Sequence, residues 1–340
     1  MSERQRHLDR LPPPVLIGDI GGTHARFAVI TDGVATMERL PDIRTADHAT
    51  IDAAIAAALG AHGSRPRSAM LALAAPIADE EVPLTNCDWV VVPRRLIDRF
   101  GLKDVALLND FEAQALSLPG LGASDIDRIG GGTIAADGAR VVVGPGTGLG
   151  AGALIRARDT WIPVPGEGGH IDIGPQSERD MAIWPHLERP HGRVEAETVI
   201  SGAGMVRLYR AICAVDGVRA RLATPEAVTG AALAGGDDEA IEAVQLFATY
   251  LGRLAGDLAL IFMATGGVYL AGGISAKIAP VLKSGGFRQA FVAKVPHDDL
   301  LAGIATAIII KEDAALAGVA AFARAPERFG VSLAGRRWRE

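Results

Sequence analysis

The stretch Val15-Leu-Ile-Gly-Asp-Ile-Gly-Gly-Thr-His-Ala-Arg-Phe-Ala-Val-Ile30 decides how this sequence folds. Apolar residues 15–17 read as a buried strand, and 27–30 as a second strand after a tight connection. Gly18, Asp19, Ile20, Gly21, Gly22 and Thr23 fill that connection. Two adjacent glycines take Cβ atoms away from a sharp turn, so a bulky anion can come close to backbone N–H groups. Asp19, at a strand end, can hold a hydrated Mg²⁺, because hard divalent cations take carboxylate and water oxygens. Arg26 is a further candidate phosphate partner. Taken alone, the same residues also fit an ordinary hairpin with a Gly-Gly turn.

The design returns about 125 residues later in Val141-Val-Val-Gly-Pro-Gly-Thr-Gly-Leu-Gly-Ala-Gly-Ala-Leu-Ile155, again strand, Gly-Thr-Gly turn, strand. Two such hairpins predict a duplicated α/β unit whose halves face one nucleotide. The arrangement resembles the actin-like ATPase superfamily, in which two turns clamp the phosphates from opposite sides.

A length of 340 residues predicts two domains with ample interior. The net charge of −6 gives no electrostatic footprint for nucleic acid. Cys87 and Cys213 stand far apart, which supports neither a disulfide framework nor a Cys-type zinc site, and reduced thiols in a cytoplasmic setting are expected. No apolar signal segment opens the chain, and residues 1–14 read as a disordered lead. The apolar run 254–270 is broken by Asp257 and by Gly266-Gly267, so it reads as a helix end followed by a strand and not as a membrane span.

Along the chain, helical spacing predicts helices over 46–59, 93–100, 204–215, 225–234, 238–262 and 314–323. Strands are expected over 34–40, 68–75, 90–92, 105–108, 268–271 and 305–310. Residues 161–194 read as loop-rich, and the basic tail at 336–339 as frayed. This alternation predicts mixed α/β sheets.

Three constellations carry chemistry. Asn109-Asp110 follows a strand and opens a helix, so the carboxylate can take the proton of an attacking hydroxyl while the amide bonds neighbouring hydroxyls. The competing explanation is that Asp110 only caps the helix. Pro165-Gly-Glu-Gly-Gly-His170 places Glu167 and His170 around two glycines, a polar fence suited to an uncharged, hydroxyl-rich sugar. Gly272-Gly273 follows a strand and lets backbone pack against adenine or ribose. Glu197 alone is an acid at a helix start. P-loop, dinucleotide-fold and protein-kinase patterns are absent, as is His-Glu-x-x-His.

With these pieces assembled, the chain resembles the non-ROK bacterial glucokinases. The matches are 18–23, Ala75-Pro76-Ile77, Thr85-Asn86 with Trp89, Asn109-Asp110-Phe111, 144–150, 165–170, Ser201-Gly202, 271–274 and Ser284-Gly-Gly-Phe-Arg288, in family order from about 15 to 323. The resemblance implies an α/β, two-domain actin-like ATPase (ribonuclease H-like) fold with mixed sheets and an interdomain cleft. It implies a small domain of residues 15–120 plus about 311–335 and a large one of 121–310. It also implies phosphorylation of the 6-hydroxyl of D-glucose with ATP and Mg²⁺, in a homodimer.

Position by position, Asp110 matches the catalytic base, and Asn86, Asn109, Glu167, His170 and Glu197 match glucose-binding positions. Gly18 to Thr23 and Gly146, Thr147 and Gly148 match the two phosphate loops. His24 stands where Asn is usual, Cys87-Asp88 replaces a His-Thr pair, and 185–192 is atypical. The cysteine cluster that binds zinc in ROK kinases is missing. Rival readings are a kinase of another hexose or amino sugar, a sugar-sensing regulator, and a filament or chaperone ATPase.

Overall fold

The computed structural model describes residues 10–33, 36–63, 65–77 and 79–340. Two compact units form. One comprises Met1–Leu121, Leu154–Pro165 and Lys311–Glu340, and the other comprises Gly122–Ala153 and Gly166–Ile310.

The strands in chain order begin with β1 (Val15–Ile20), β2 (His24–Ile30), β3 (Glu38–Arg39), β4 (Ile43–Arg44) and β5 (Ser68–Leu73). Next come β6 (Val82–Pro83), β7 (Val90–Val91), β8 (Asp104–Asn109), β9 (Ile126–Gly130) and β10 (Arg140–Pro145). The remainder are β11 (Leu149–Ala157), β12 (Thr160–Gly166), β13 (Val268–Leu270), β14 (Thr306–Ile309) and β15 (Arg337–Arg339). The first unit's sheet runs β15-β8-β5-β1-β2-β3, with β4 also on β2, while the second sheet runs β12-β11-β10-β13-β14-β9. Read from the other edge, the second sheet repeats the first: one antiparallel edge strand, two parallel strands, then the glycine hairpin. The duplication expected from the two hairpins is therefore present in the strand order.

Strands β5 and β10 are buried at every position, and β1 at every position but Asp19. That pattern belongs to parallel strands covered on both faces, which explains their continuous apolar runs. In the first unit the helix Ala314–Arg324 lies on the helix Asp110–Ser117. A Cβ on Gly318 would sit 1.9 Å from the Ala113 carbonyl oxygen, so only glycine allows the crossing. In the second unit, Gly252 and Gly256 of the helix Asp238–Phe262 meet the carbonyls of Phe287 and Phe291 in the same way, at 2.3 and 2.5 Å from the missing Cβ atoms. This contact accounts for the Ser-Gly-Gly-Phe-Arg motif: Phe287 is buried, and Arg288 donates to the carbonyls of Ile304, Leu301 and Ala302. The long helix is the one described helix long and apolar enough to cross a membrane by length and composition, and 61% of its most apolar window is buried inside the protein.

Several expectations change. Of the lead expected to be disordered, residues 1–9 lie outside the described residues. Residues 10–14 are held: Leu11 is buried, Ser68 Oγ donates to the Pro12 carbonyl, and Arg67 N–H donates to that of Pro14. Residues 34 and 35 of the third expected strand also lie outside the described residues, and β3 covers only Glu38–Arg39. The stretch read as loop-rich contains most of β12 and a helix, Glu178–Ile183. The basic tail is not frayed. It pairs with β8 as an edge strand, Trp338 is buried, and Arg337 bonds both oxygens of the buried Asp104 carboxylate. Charge alone suggested a solvated end, but each arginine has a buried acid to meet.

The same device fixes the Glu178–Ile183 helix. Asp180 is fully buried and accepts from Tyr250 Oη at 2.9 Å, Arg253 Nη1 at 2.7 Å and the backbone N–H groups of Gln176 and Ser177. Burial pushes its carboxyl up, but these donors outweigh burial and hold it below the ordinary carboxylate value of 3.8. Its contribution to stability is therefore complete above that pH and is lost as pH falls through the lower folded value. Asp180→Ala should destabilise the protein by about 3–5 kcal/mol in urea unfolding at neutral pH, since it strands Arg253. It should also flatten the acid limb of the stability curve. Wild-type stability at neutral pH would contradict this assignment.

Candidate active site

In the first unit, the functional residues gather at one end of the sheet because three strands run parallel. Ile20 of β1 pairs with Leu73 of β5, and Leu73 pairs with Asn109 of β8. The chain leaves all three strands in the same direction. Gly21 and Asp110 thus follow strands separated by β5 at the same end of the sheet, about 10 Å apart at a strand spacing of 4.7–4.9 Å. Ligand loops in open α/β sheets begin at such C-terminal ends.

The first turn is tight. Gly21 N–H donates to the His24 carbonyl at 3.0 Å, and Thr45 Oγ1 donates to that of Gly22 at 2.7 Å. Neither Gly21 nor Gly22 has positive φ. Gly22 is required for a different reason: its Cβ would fall 2.5 Å from Asn86 Cβ. The exposed Asn86 is thereby seated against the turn. Gly18 and Ile20 lie inside β1. Ile20 is buried, and a Cβ on Gly18 would sit 2.8 Å from Leu71 Cδ2, so packing explains Gly18.

Asp19 faces Arg26 across the hairpin, with Oδ2 3.7 Å from Nη1. Burial raises the Asp19 carboxyl above its ordinary value, and the Arg26 charge only partly opposes this. A carboxylate so placed gains from a further cation.

Asn109 caps the helix Asp110–Ser117. Its Oδ1 accepts from Phe111 and Glu112 N–H, and the Glu112 side chain returns to Asn109 N–H. The cap is therefore Asn109 and not Asp110, although the Asp110 carboxylate also accepts from the Phe111 N–H at the same helix start. Asp110 is half-buried, with Oδ1 2.9 Å from Phe111 N. Asn109 keeps its amide NH₂ for another acceptor.

In the second unit, His170 and Glu197 come together beside Leu149, and Glu167 stands at the start of the short turn that carries His170. Gly169 lets its loop press on β11, since its Cβ would sit 2.1 Å from the Leu149 carbonyl oxygen. Leu149 N–H donates to Glu197 Oε2 at 2.7 Å, and Gly148 makes room for that carboxylate, with Oε2 2.5 Å from its missing Cβ. Glu167 and His170 are exposed, and Glu197 is half-buried. The Gly146–Gly148 turn is closed by Gly146 N–H on the Gly148 carbonyl, and Gly202 N–H donates to Gly146. Gly272 has φ +85°, and a Cβ there would meet the Pro145 carbonyl at 2.6 Å, so this glycine lets β10 and the Gly272–Lys277 helix abut. Gly146 and Gly273 have nothing within 4 Å of where a Cβ would be, and Thr147 is exposed. These turns have the open backbone that phosphate and ribose groups need.

The sequence reading missed three residues. Glu195 is buried, with His170 Nδ1 3.2 Å and His191 Nδ1 2.8 Å from Oε1, and Arg193 Nη2 2.7 Å from Oε2. Burial raises its carboxyl, but bonds from His191 and His170 and the Arg193 charge hold it below the usual range. Atoms of His170, Glu195 and Glu197 lie within 4.8 Å of one another, a spacing that suits a divalent ion. Protein donors already occupy both Glu195 oxygens and Oε2 of Glu197. The only sequence signal was the i, i+4 spacing of His191 and Glu195.

The tail also reaches this machinery. Arg336 Nη1 donates to the buried Glu112 Oε2 at 2.5 Å, the acid that completes the cap at Asn109. Arg336→Ala should lower stability by about 3 kcal/mol, because a buried charge is left without its partner. Calorimetry checks this, and an unchanged Tm would contradict it.

A glucokinase family profile matches residues 16–326. A curated glucokinase from Rhizobium johnstonii is 55% identical over 340 residues, covering all of both chains. Among solved structures, a glucokinase from an Antarctic psychrotroph has a TM-score of 0.80 at 31% identity, covering 90% of this chain and 97% of that one. A glucokinase from Balamuthia mandrillaris, solved in complex with glucose, has a TM-score of 0.76 at 20% identity, with 91% and 93% covered. The mixed α/β architecture is the actin-like ATPase fold expected from the two hairpins. On this profile and this full-length identity, the chain belongs to the glucokinase family.

Proposed function

We propose that the chain phosphorylates the 6-hydroxyl of D-glucose with ATP, using Asp110 as general base. The observation that supports this most is the register Ile20, Leu73, Asn109, which sets Asp110 at the same sheet edge as the Gly21–Thr23 turn. The Asp110 carboxylate takes the proton of the 6-hydroxyl as that oxygen forms its bond to the γ-phosphorus. The bond from phosphorus to the ADP oxygen then breaks, leaving glucose 6-phosphate and ADP. Such transfer asks little covalent chemistry of the protein, which must align the oxygen, stabilise charge and keep water out.

In this reading Asn109 donates through its amide NH₂, and Glu167, His170, Glu197 and Asn86 meet further sugar hydroxyls. Backbone N–H groups of Gly22, Thr23, Thr147 and Gly148 donate to phosphate oxygens, and Gly272-Gly273 makes room for the nucleoside. Asp19 would hold Mg²⁺ through water, and that ion supplies charge neutralisation on the phosphates. A cytoplasmic homodimer is the assembly the family resemblance suggests.

Asp110→Asn should lower kcat by about 10²–10⁴ while glucose affinity stays within about tenfold, the usual worth of a positioned base. A coupled assay over glucose, mannose, fructose and glucosamine checks substrate and base together. Wild-type kcat in Asp110→Asn would remove the aspartate from this role. Preference for another sugar would redirect the reading to that hexose.

A further inference from the structure

The Glu195 cluster lies beside the proposed sugar residues, and the proposed reaction makes no direct use of it. Glu195 cannot reach substrate as a free acid, because three donors converge on it: His170, His191 and Arg193. Arg193 is anchored in turn by Asp172 at 2.5 Å, and its Nη1 donates to the His170 carbonyl at 2.7 Å. Both the ring and the backbone of His170 are thus tied to one buried anion and its arginine. Glu197, which is already bonded to Leu149 N–H, also lies close to the ring. His191 stands 6.5 Å from the His170 ring, centroid to centroid.

We propose that Glu195 is a positioning residue that fixes the His170 imidazole with Nδ1–H on its carboxylate and Nε2 presented to a sugar hydroxyl. A carboxylate can only accept, so the ring nitrogen facing it must carry hydrogen. In the neutral ring, Nε2 is then an acceptor, and the sugar hydroxyl must donate to it. A buried anion that orients an imidazole through its far nitrogen sets the tautomer as well as the direction of the ring. His191 shares Oε1 and helps keep the carboxylate charged without touching the ring's outer nitrogen. The proposal rests on His170 binding sugar, as set out under the proposed function.

Two measurements test it. The first is long-range ¹⁵N–¹H NMR of the full chain with labelled histidines, His170 being assigned from a His170→Ala spectrum. It should show a hydrogen-bearing Nδ1 and a bare Nε2. A hydrogen-bearing Nε2 on the neutral ring would overturn the proposal, and this readout needs no Glu195 variant to fold. The second is glucose kinetics. Glu195→Ala should raise KM about tenfold with kcat within about threefold, the split expected when ground-state contacts are lost. Its His170 nitrogens should average between tautomers. Glu195→Gln, which keeps an acceptor, should fall nearer wild type, and His191→Ala should leave KM within about twofold.

A purely structural Glu195 would lower Tm in Glu195→Ala while leaving KM and tautomer unchanged, and that result overturns the proposal. His170→Ala separates the two failures. A raised KM in His170→Ala with wild-type KM in Glu195→Ala overturns only the positioning role. Unchanged KM in His170→Ala overturns the sugar reading of the loop and this inference with it.

Discussion

The parallel hydrogen-bond ladder joining β1, β5 and β8 is the constraint on which the first unit depends. It fixes which residues leave the sheet together, and so it places the glycine turn and Asp110 two strands apart at the same end of the sheet, with β5 between them. A register slip of one residue in β8 would turn Asn109 to the opposite face and misdirect the helix behind it. Much of what surrounds that ladder holds it in place. Strand β15 covers its edge, the Arg336–Glu112 pair secures the cap, and Gly318 lets a second helix lie close on the helix of Asp110.

Close approach, and not left-handed backbone, explains most of the glycines near the site. Gly22 admits Asn86, Gly148 admits Glu197 and Gly169 admits the start of β11. Each absent Cβ lets a polar loop settle within van der Waals contact of a strand end. The glycine-rich motifs therefore assemble the side chains that surround the turns, and Gly146 and Gly273 leave open backbone beside them. Gly272 is the exception, needing both its positive φ and its contact with Pro145.

Much of this was legible in the sequence. The two hairpins announced the repeated sheet, and the helices Pro225–Ala234 and Asp238–Phe262 could be read to the residue, because proline and aspartate mark their starts and their apolar spacing is regular. The Asn-Asp pair after an apolar run placed the proposed base at a strand end. What could not be read were contacts between residues distant in the chain. Nothing in Arg336-Arg337-Trp338-Arg339 reveals that Glu112 and Asp104 are buried more than 200 positions earlier, so a basic tail read as solvated. Likewise Glu195 and Glu197 look equivalent in Val-Glu-Ala-Glu, and only the fold shows that one faces His170 and the other Leu149. A two-residue strand such as β3 carries too few residues for periodicity to define its ends.

The central claim is that the sheet edge carrying the Gly21–Thr23 turn also presents Asp110 to the hydroxyl that is phosphorylated. The most direct measurement is a crystal structure of the protein with glucose and a non-hydrolysable ATP analogue. The account predicts the sugar's 6-hydroxyl oxygen within about 3.2 Å of an Asp110 carboxylate oxygen, a hydrogen-bond distance. It also predicts phosphate oxygens on the N–H groups of Gly22 and Thr23. A 6-hydroxyl bonded to some other carboxylate, with Asp110 turned away from the sugar, would contradict it.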